Sequence, residues 1–244
     1  THTGALAGAD DVYDAAFRRA GMLRVFDLRE LFDCAETLGR LKPPRGKRLA
    51  MLTNGGGLGV LAVDRLAELG GVTAALSPAA REQLDAVLPP TWSGSNPVDI
   101  IGDADAARYA AALESLLADP ENDAVLVMNV QTAVAPAGDI ADTVTRVVTT
   151  AREKRQAVRP VLAVWVGAGP EISKTFDNAG IPNFATEDDA VRGFMHLVKH
   201  REAIEALSAV PPSLPADFVP DVAAARAIVG TAVAEGRRWL DPAE

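Results

Sequence analysis

Short apolar runs and longer helical segments take turns along most of this chain. From Lys47 onward, Leu49–Thr53, Val72–Leu76, Val98–Ile101, Ala124–Asn129, Val161–Val166 and Ile181–Phe184 read as strands. Between and after them, Leu58–Leu69, Ala79–Val87, Ala104–Ala118, 139–155, Pro170–Ala179 and Glu187–Leu207 carry the spacing of helices. Ser77-Pro78 opens one helix and Gly70-Gly71 closes another, as turn chemistry requires. Strand and helix alternate six times. Alternation of this kind predicts parallel strands joined by right-handed crossovers. The strands are apolar throughout, as expected where helices cover both faces. The expected core is therefore a doubly wound, flavodoxin-like parallel α/β sheet.

Before that core, Asp10 or Asp11 caps a helix ending at Gly21. A second helix runs over 27–41, with Leu28, Leu31, Phe32, Ala35 and Leu38 on one face. Pro43-Pro44-Arg45-Gly46 marks a boundary. After the core, Pro211, Pro212, Pro215 and Pro220 read as a stiff linker, and 221–235 as an Ala-rich helix. The expected organisation is thus 1–43, 44–207 and 208–244. No internal repeat is visible.

Composition changes this picture little. The 244 residues are 48% hydrophobic and 23% charged, which is ordinary for a globular core. The net charge of -9 argues against a nucleic-acid partner. No apolar run nears the ~20 residues that span a bilayer, and the N-terminus lacks the features of a signal peptide. Cytoplasmic location is the default expectation. Cys34 is the one cysteine, which rules out an intramolecular disulfide, and its helical context predicts a buried thiol. The chain starts without Met in a Gly/Thr-rich segment, and we expect it to be a piece of a longer protein.

The strongest local signal is Thr53-Asn54-Gly55-Gly56-Gly57-Leu58-Gly59, between the first strand and its helix. Ligands of doubly wound sheets bind beyond the carboxyl ends of the strands. Glycines let an anion approach the backbone, and the helix start offers unpaired N–H groups. A phosphate or carboxylate site is one reading; a turn that needs glycine for steric reasons is the other. No Lys-Ser/Thr pair follows, so it is not a P-loop. Asn96-Pro97-Val98-Asp99-Ile100-Ile101-Gly102-Asp103 is the second signal. Asp103 reads as a helix N-cap. Asp99 lies inside an apolar strand and needs partners, for which backbone N–H groups of nearby loops are candidates. Gln131-Thr132-Ala133 and Gly167-Ala168-Gly169-Pro170 fall on the same edge as the Gly-rich loop and could line one pocket with it. His196 and His200 share one side of the last core helix, where a solvated face is expected rather than a metal pair; no metal site is expected. His2 sits in a small-residue segment with Gly4 and Gly8, and spacing alone says nothing of it.

The run Thr1-His2-Thr3-Gly4-Ala5-Leu6-Ala7-Gly8, followed by Tyr13-Asp14-Ala15-Ala16-Phe17, resembles the phosphohistidine loop of ADP-forming acetyl-CoA synthetases. The resemblance continues through Leu31-Phe32, Thr53–Gly59, Asn96–Asp99 and Gly102-Asp103-Ala104, and covers essentially the whole chain. Thr1 stands where the family usually has Ser. In that family, part of the succinyl-CoA synthetase superfamily, the resemblance implies an acyl-CoA synthetase that interconverts acyl-CoA, ADP and phosphate with acid, CoA and ATP. His2 would be the nucleophile that carries the phosphoryl group. Asn54, Gly55, Gly56, Gly57, Leu58 and Gly59 would bind phosphate, while Asp99, Gly102, Asp103, Gln131 and Thr132 would line or support the pocket. Residues 1–43 would end a preceding ligase domain, 44–207 would be the CoA-ligase domain, and 208–244 would lead to an ATP-grasp domain. CoA, ADP/ATP and Mg2+ would be held mainly by CoA-binding and ATP-grasp domains outside this chain, which would be inactive alone. The remaining partner would be a small carboxylic acid or acyl-CoA, with a homo-oligomer possible. Phe194–Val198 also resembles members fused to a GNAT acetyltransferase, so an acyl-CoA-sensing regulatory region is the alternative. A flavodoxin-like nucleotide or flavin binder is a third reading, disfavoured by 5% aromatics and none in the loops after the first and fourth strands.

Overall fold

The computed structural model describes residues 10–154, 159–209 and 218–241. Residues 1–208 and 209–244 form two compact units. In the first, six parallel strands make one sheet: β1 (Arg48–Thr53), β2 (Val72–Thr73), β3 (Val98–Asp99), β4 (Ala124–Val130), β5 (Val161–Val166) and β6 (Asn183–Phe184). The order is β2-β1-β4-β5-β6. β3 pairs with β1 on the side that β2 also uses. Val72 and Thr73 face Arg48 and Leu49, whereas Val98 and Asp99 face Leu52 and Thr53. Two short strands thus share one edge, and counted as one position they give the 2-1-3-4-5 order of the flavodoxin-like fold.

A side chain fills the gap between them. Asn96 Oδ1 accepts the Met51 N–H at 2.9 Å, while its Nδ2 donates to the carbonyls of Leu49 (2.9 Å) and Ala74 (2.8 Å). The amide stands in for a missing stretch of ladder. This explains why the predicted strands 72–76 and 98–101 are each only two residues long.

The strands alternate between two cores. Ala50, Leu52, Val125, Val127, Val161, Ala163 and Trp165 face one side, under α4 (Pro78–Val87), α5 (Ala106–Ala118), α6 (Ala137–Glu153) and α7 (Pro170–Asn178). Leu49, Met51, Leu126, Met128, Leu162 and Val164 face the other, under α3 (Gly56–Glu68) and α8 (Glu187–Ser208). Both faces are dry, which is why every long strand is apolar at successive positions. Local caps set the helix starts: Ser77 accepts from the Ala80 N–H at 3.1 Å, and Asp105 from the Arg108 N–H at 2.8 Å.

Two helices precede the sheet, α1 (Asp10–Arg19) and α2 (Leu28–Arg40). Asp27 caps α2, accepting from the Glu30 N–H at 2.7 Å. The apolar face expected on this helix is not the packed one: Leu28 and Phe32 are 72% and 71% exposed. Glu30, Cys34 and Thr37 are buried instead, against α8. Gly193 permits the close approach, since a Cβ there would lie 2.9 Å from Thr37 Oγ1. His196, expected on a solvated face, is buried at this contact and meets Glu30 Oε1 at 3.0 Å. Burial lowers its pKa from the usual histidine value, against the opposing pull of Glu30. Cys34 is buried, as its context predicted.

The second unit contains α9 (Val222–Ala234), capped by Asp221 through the Ala224 N–H at 2.9 Å. Among the described residues no helix is long and apolar enough to cross a membrane.

Candidate functional site

The strand order reverses between β1 and β4, so the loops leaving these two strands flank the switch point of the sheet. Asn54 joins them. Its Oδ1 accepts the Val130 N–H at 2.8 Å and its Nδ2 donates to the Val130 carbonyl at 2.9 Å. Asn54 is 5% exposed, so these bonds are shielded from water. Below it, the fully buried Tyr109 hydroxyl donates to the Met128 carbonyl at 2.9 Å and accepts from Asn129 Nδ2 at 3.1 Å. Burial raises the Tyr109 pKa, so the phenol stays protonated as the donor this network needs. Tyr109 and Asn129 escaped the sequence reading. A tyrosine amid the alanines of α5 and an asparagine inside an apolar strand were the available signals.

Beyond Asn54 the chain turns straight into α3. Thr53 Oγ1 accepts the Gly55 N–H at 3.0 Å, and no side chain caps the helix. Each glycine answers differently to an added Cβ. At Gly55 it would lie 2.8 Å from Val130 Cγ2, at Gly56 2.7 Å from Asp99 Oδ2, and at Gly59 3.1 Å from Pro97 Cβ. At Gly57 it would meet nothing within 4 Å. None of these four has a positive φ. Steric packing therefore explains Gly55, Gly56 and Gly59 and leaves Gly57, which is exposed at the first turn of an uncapped helix. Such a turn presents N–H donors and the positive end of the helix dipole to whatever lies outside.

Asp99 borders this turn. Its Oδ1 accepts the Ile101 N–H at 2.9 Å, and Ile101 holds φ at +69°. The carboxylate thus braces a left-handed residue in the loop after β3 and sets a negative charge on the Gly56 flank. Asp103 is not the N-cap of α5; Asp105 is, and Asp103 is exposed and pairs with Arg108. Two aspartates two residues apart compete for that cap, and the helix begins one residue after the second. Arg108 also donates to the Ile100 carbonyl at 3.0 Å, tying this loop to α5. Gly102 passes close to the Gly-rich loop, its Cβ position 3.8 Å from the Asn54 carbonyl. Gln131 Nε2 donates to the Gly167 carbonyl at 2.9 Å, which brings together the loops after β4 and β5. Thr132 is half-buried in the same loop, and Leu58 is half-buried behind the Gly-rich turn. His2 lies outside the described residues.

Residues 49–191 match the family model of the Ligase-CoA domain. This chain belongs to the Ligase-CoA domain family. Residues 1–38 match a second model, the succinyl-CoA ligase like flavodoxin domain. The α subunit of ADP-forming acetate–CoA ligase I from Pyrococcus furiosus is 36% identical over 202 residues, 82% of this chain and 42% of the relative. The ADP-forming 4-hydroxybutyrate–CoA ligase of Nitrosopumilus maritimus is 27% identical over 84% of this chain and 29% of the relative. Among solved structures, the dinucleotide forming acetyl-coenzyme A synthetase 1 of Ca. Korarchaeum cryptofilum, in complex with phosphate and ADP, superposes with a TM-score of 0.77. It is 29% identical over 86% of this chain and 45% of that chain. This Ligase-CoA chain therefore spans less than half the length of these relatives. The doubly wound α/β fold expected from the sequence agrees with these likenesses.

Proposed function

We propose that this chain is part of an ADP-forming acyl-CoA synthetase, and that the start of α3 receives a phosphoryl group carried on His2. The observation that carries the reading is the uncapped first turn of α3, open at Gly57 and anchored through Asn54 to β4. The relatives named as ADP-forming ligases support it, as does a related structure holding phosphate and ADP.

The chemistry runs in three balanced steps. Phosphate attacks the acyl carbon of acyl-CoA and expels CoA as the thiol. The His2 imidazole attacks phosphorus of the acyl phosphate and releases the carboxylic acid. ADP then takes the phosphoryl group from His2 and becomes ATP. A phosphorylated imidazole is anionic, and backbone N–H groups at a helix start stabilise it without a counter-ion. Gly55, Gly56, Gly57, Leu58 and Gly59 shape that turn. Asn54, Asp99 and Gly102 hold the surrounding loops, and Gln131 and Thr132 flank the crevice. Asp103 supports Arg108 rather than the pocket itself.

CoA-binding and ATP-grasp domains supply the other sites in this proposal, the magnesium-nucleotide site included. Among the described residues no group of three or more His, Cys, Asp or Glu could hold a metal ion. The acyl-CoA-sensing alternative has no observation in its favour.

The test is transfer of radioactive phosphate from ATP to the assembled enzyme. Wild type should label and His2→Ala should not; equal labelling of the two would remove His2 from the reaction.

A further inference from the structure

A cavity of about 910 Å³ lies at the end of the sheet opposite the Gly-rich turn, where β1, β4 and β5 begin. Along a six-residue strand this lies roughly 15–20 Å from the Gly-rich turn. Its described lining holds six cationic side chains, Arg40, Lys42, Arg45, Arg48, Arg152 and Arg159, against one carboxylate, Asp123. The chain as a whole carries a net charge of -9, so this concentration of positive charge runs against the rest of the surface.

Some of these charges are spent within the fold. Arg48 pairs with Asp123 at 3.0 Å and with Glu121 at 3.0 Å, and Arg40 with Asp177 at 2.7 Å. Arg152 and Arg159 are different. Arg152 Nη1 donates to the Ala179 carbonyl at 2.5 Å, after the last turn of α7. Arg159 donates to the carbonyls of Leu117 (2.5 Å), in the last turn of α5, and of Asn122 (2.6 Å), just before β4. Neither forms an ion pair with a carboxylate among the described residues. Bonding backbone carbonyls, two of them at helix ends, accounts for how these two guanidiniums are aimed. It does not account for the volume in front of them, or for Lys42 and Arg45 on its rim. The backbone around the cavity is stiffened by Pro43, Pro44, Pro120 and Pro160, so the space is largely preformed. Its size suits a small molecule.

We propose that this cavity binds a small molecule carrying two or more linked phosphates. Guanidinium groups fixed by carbonyl contacts keep further N–H donors for phosphate oxygens, and they lose little freedom on binding. The site is separate from the proposed phosphoryl-receiving turn.

The experiment is calorimetric titration of the full chain with sodium tripolyphosphate at about 50 mM salt, where charge screening is modest. Saturable binding is expected. Arg159→Gln should weaken it about 10-fold or more, as loss of a charge-assisted bond implies. Lys42→Ala and Arg45→Ala, both exposed and safe for folding, should each weaken it by about 2- to 5-fold. Gly57→Ala should leave it unchanged. Titration with ADP and with pyrophosphate separates the sources: tighter binding of ADP assigns the site to a nucleotide, equal binding to the phosphate chain alone. The proposal is overturned by no saturable binding up to ~10 mM, or by orthophosphate binding as tightly as tripolyphosphate. It is also overturned if Gly57→Ala abolishes binding while the rim variants retain it, which would place the anion at α3 instead.

Discussion

Replacing Gly57 by alanine separates what the Gly-rich turn does for the fold from what it does for a ligand. The added methyl group meets no atom within 4 Å, and the residue has no positive φ. The folded state therefore gains a better helix former without strain. The unfolded chain also loses some freedom, and together these effects stabilise by about 0.4–1 kcal/mol. For a unit of this size that is a rise in melting temperature of about 1–4 °C. The same methyl projects from the turn where the phosphoryl group would rest. Loss of one charge-assisted hydrogen bond costs about 1.5–3 kcal/mol, or about 10- to 150-fold in the rate of phosphoryl transfer. The assays are thermal melting and the rate of phosphate labelling of the assembled enzyme. Gly56→Ala is the control, because its methyl would press on the Asp99 carboxylate at 2.7 Å and should destabilise. A Gly57→Ala enzyme that melts higher and labels at the wild-type rate would refute the assignment of this turn. One that melts lower would refute the packing argument beneath it.

Asn96→Ala should lower stability by about 1–3 kcal/mol, because it strands the N–H of the fully buried Met51 and frees the Ala74 carbonyl, while the Leu49 carbonyl keeps the Ala74 N–H; urea unfolding measures this, and a loss under about 0.5 kcal/mol would show that the gap between β2 and β3 is bridged some other way. His196 is held below its usual pKa by burial, so the unfolded chain binds its proton first and stability should fall as pH drops below about 6.5. Urea midpoints between pH 7.5 and 5 should show that decline, with a flatter profile in His196→Gln; a wild-type profile without slope would exclude His196 as its source.

The alternation of strand and helix was legible because each long strand is buried on both faces and each helix is punctuated locally, by Asp27, Ser77 or Gly70. The Gly-rich turn was legible for the same local reason. What stayed hidden depends on distant partners. Asn96 replaces ladder hydrogen bonds between strands from three parts of the chain, which no hydrophobic pattern records. The buried face of α2 was misjudged because its partner, α8, lies about 160 residues away and presents His196 and Gly193 rather than large apolar groups. Asp103 and Asp105 are equivalent as candidate caps in sequence, and only the placement of α5 distinguishes them. The cavity of arginines went unseen because Arg48, Arg152 and Arg159 converge only when three strands start side by side.

The pair of hydrogen bonds between Asn54 and Val130 has a consequence for what can dock at this edge of the sheet. It occupies the backbone N–H and carbonyl of the last β4 residue, so a ligand arriving at the switch point meets them already paired. The N–H groups in the uncapped first turn of α3 remain on offer beside them. In the proposed reaction, a phosphoryl group carried on His2 would meet those donors at the surface and leave again. One asparagine side chain thereby decides which backbone groups this edge can present.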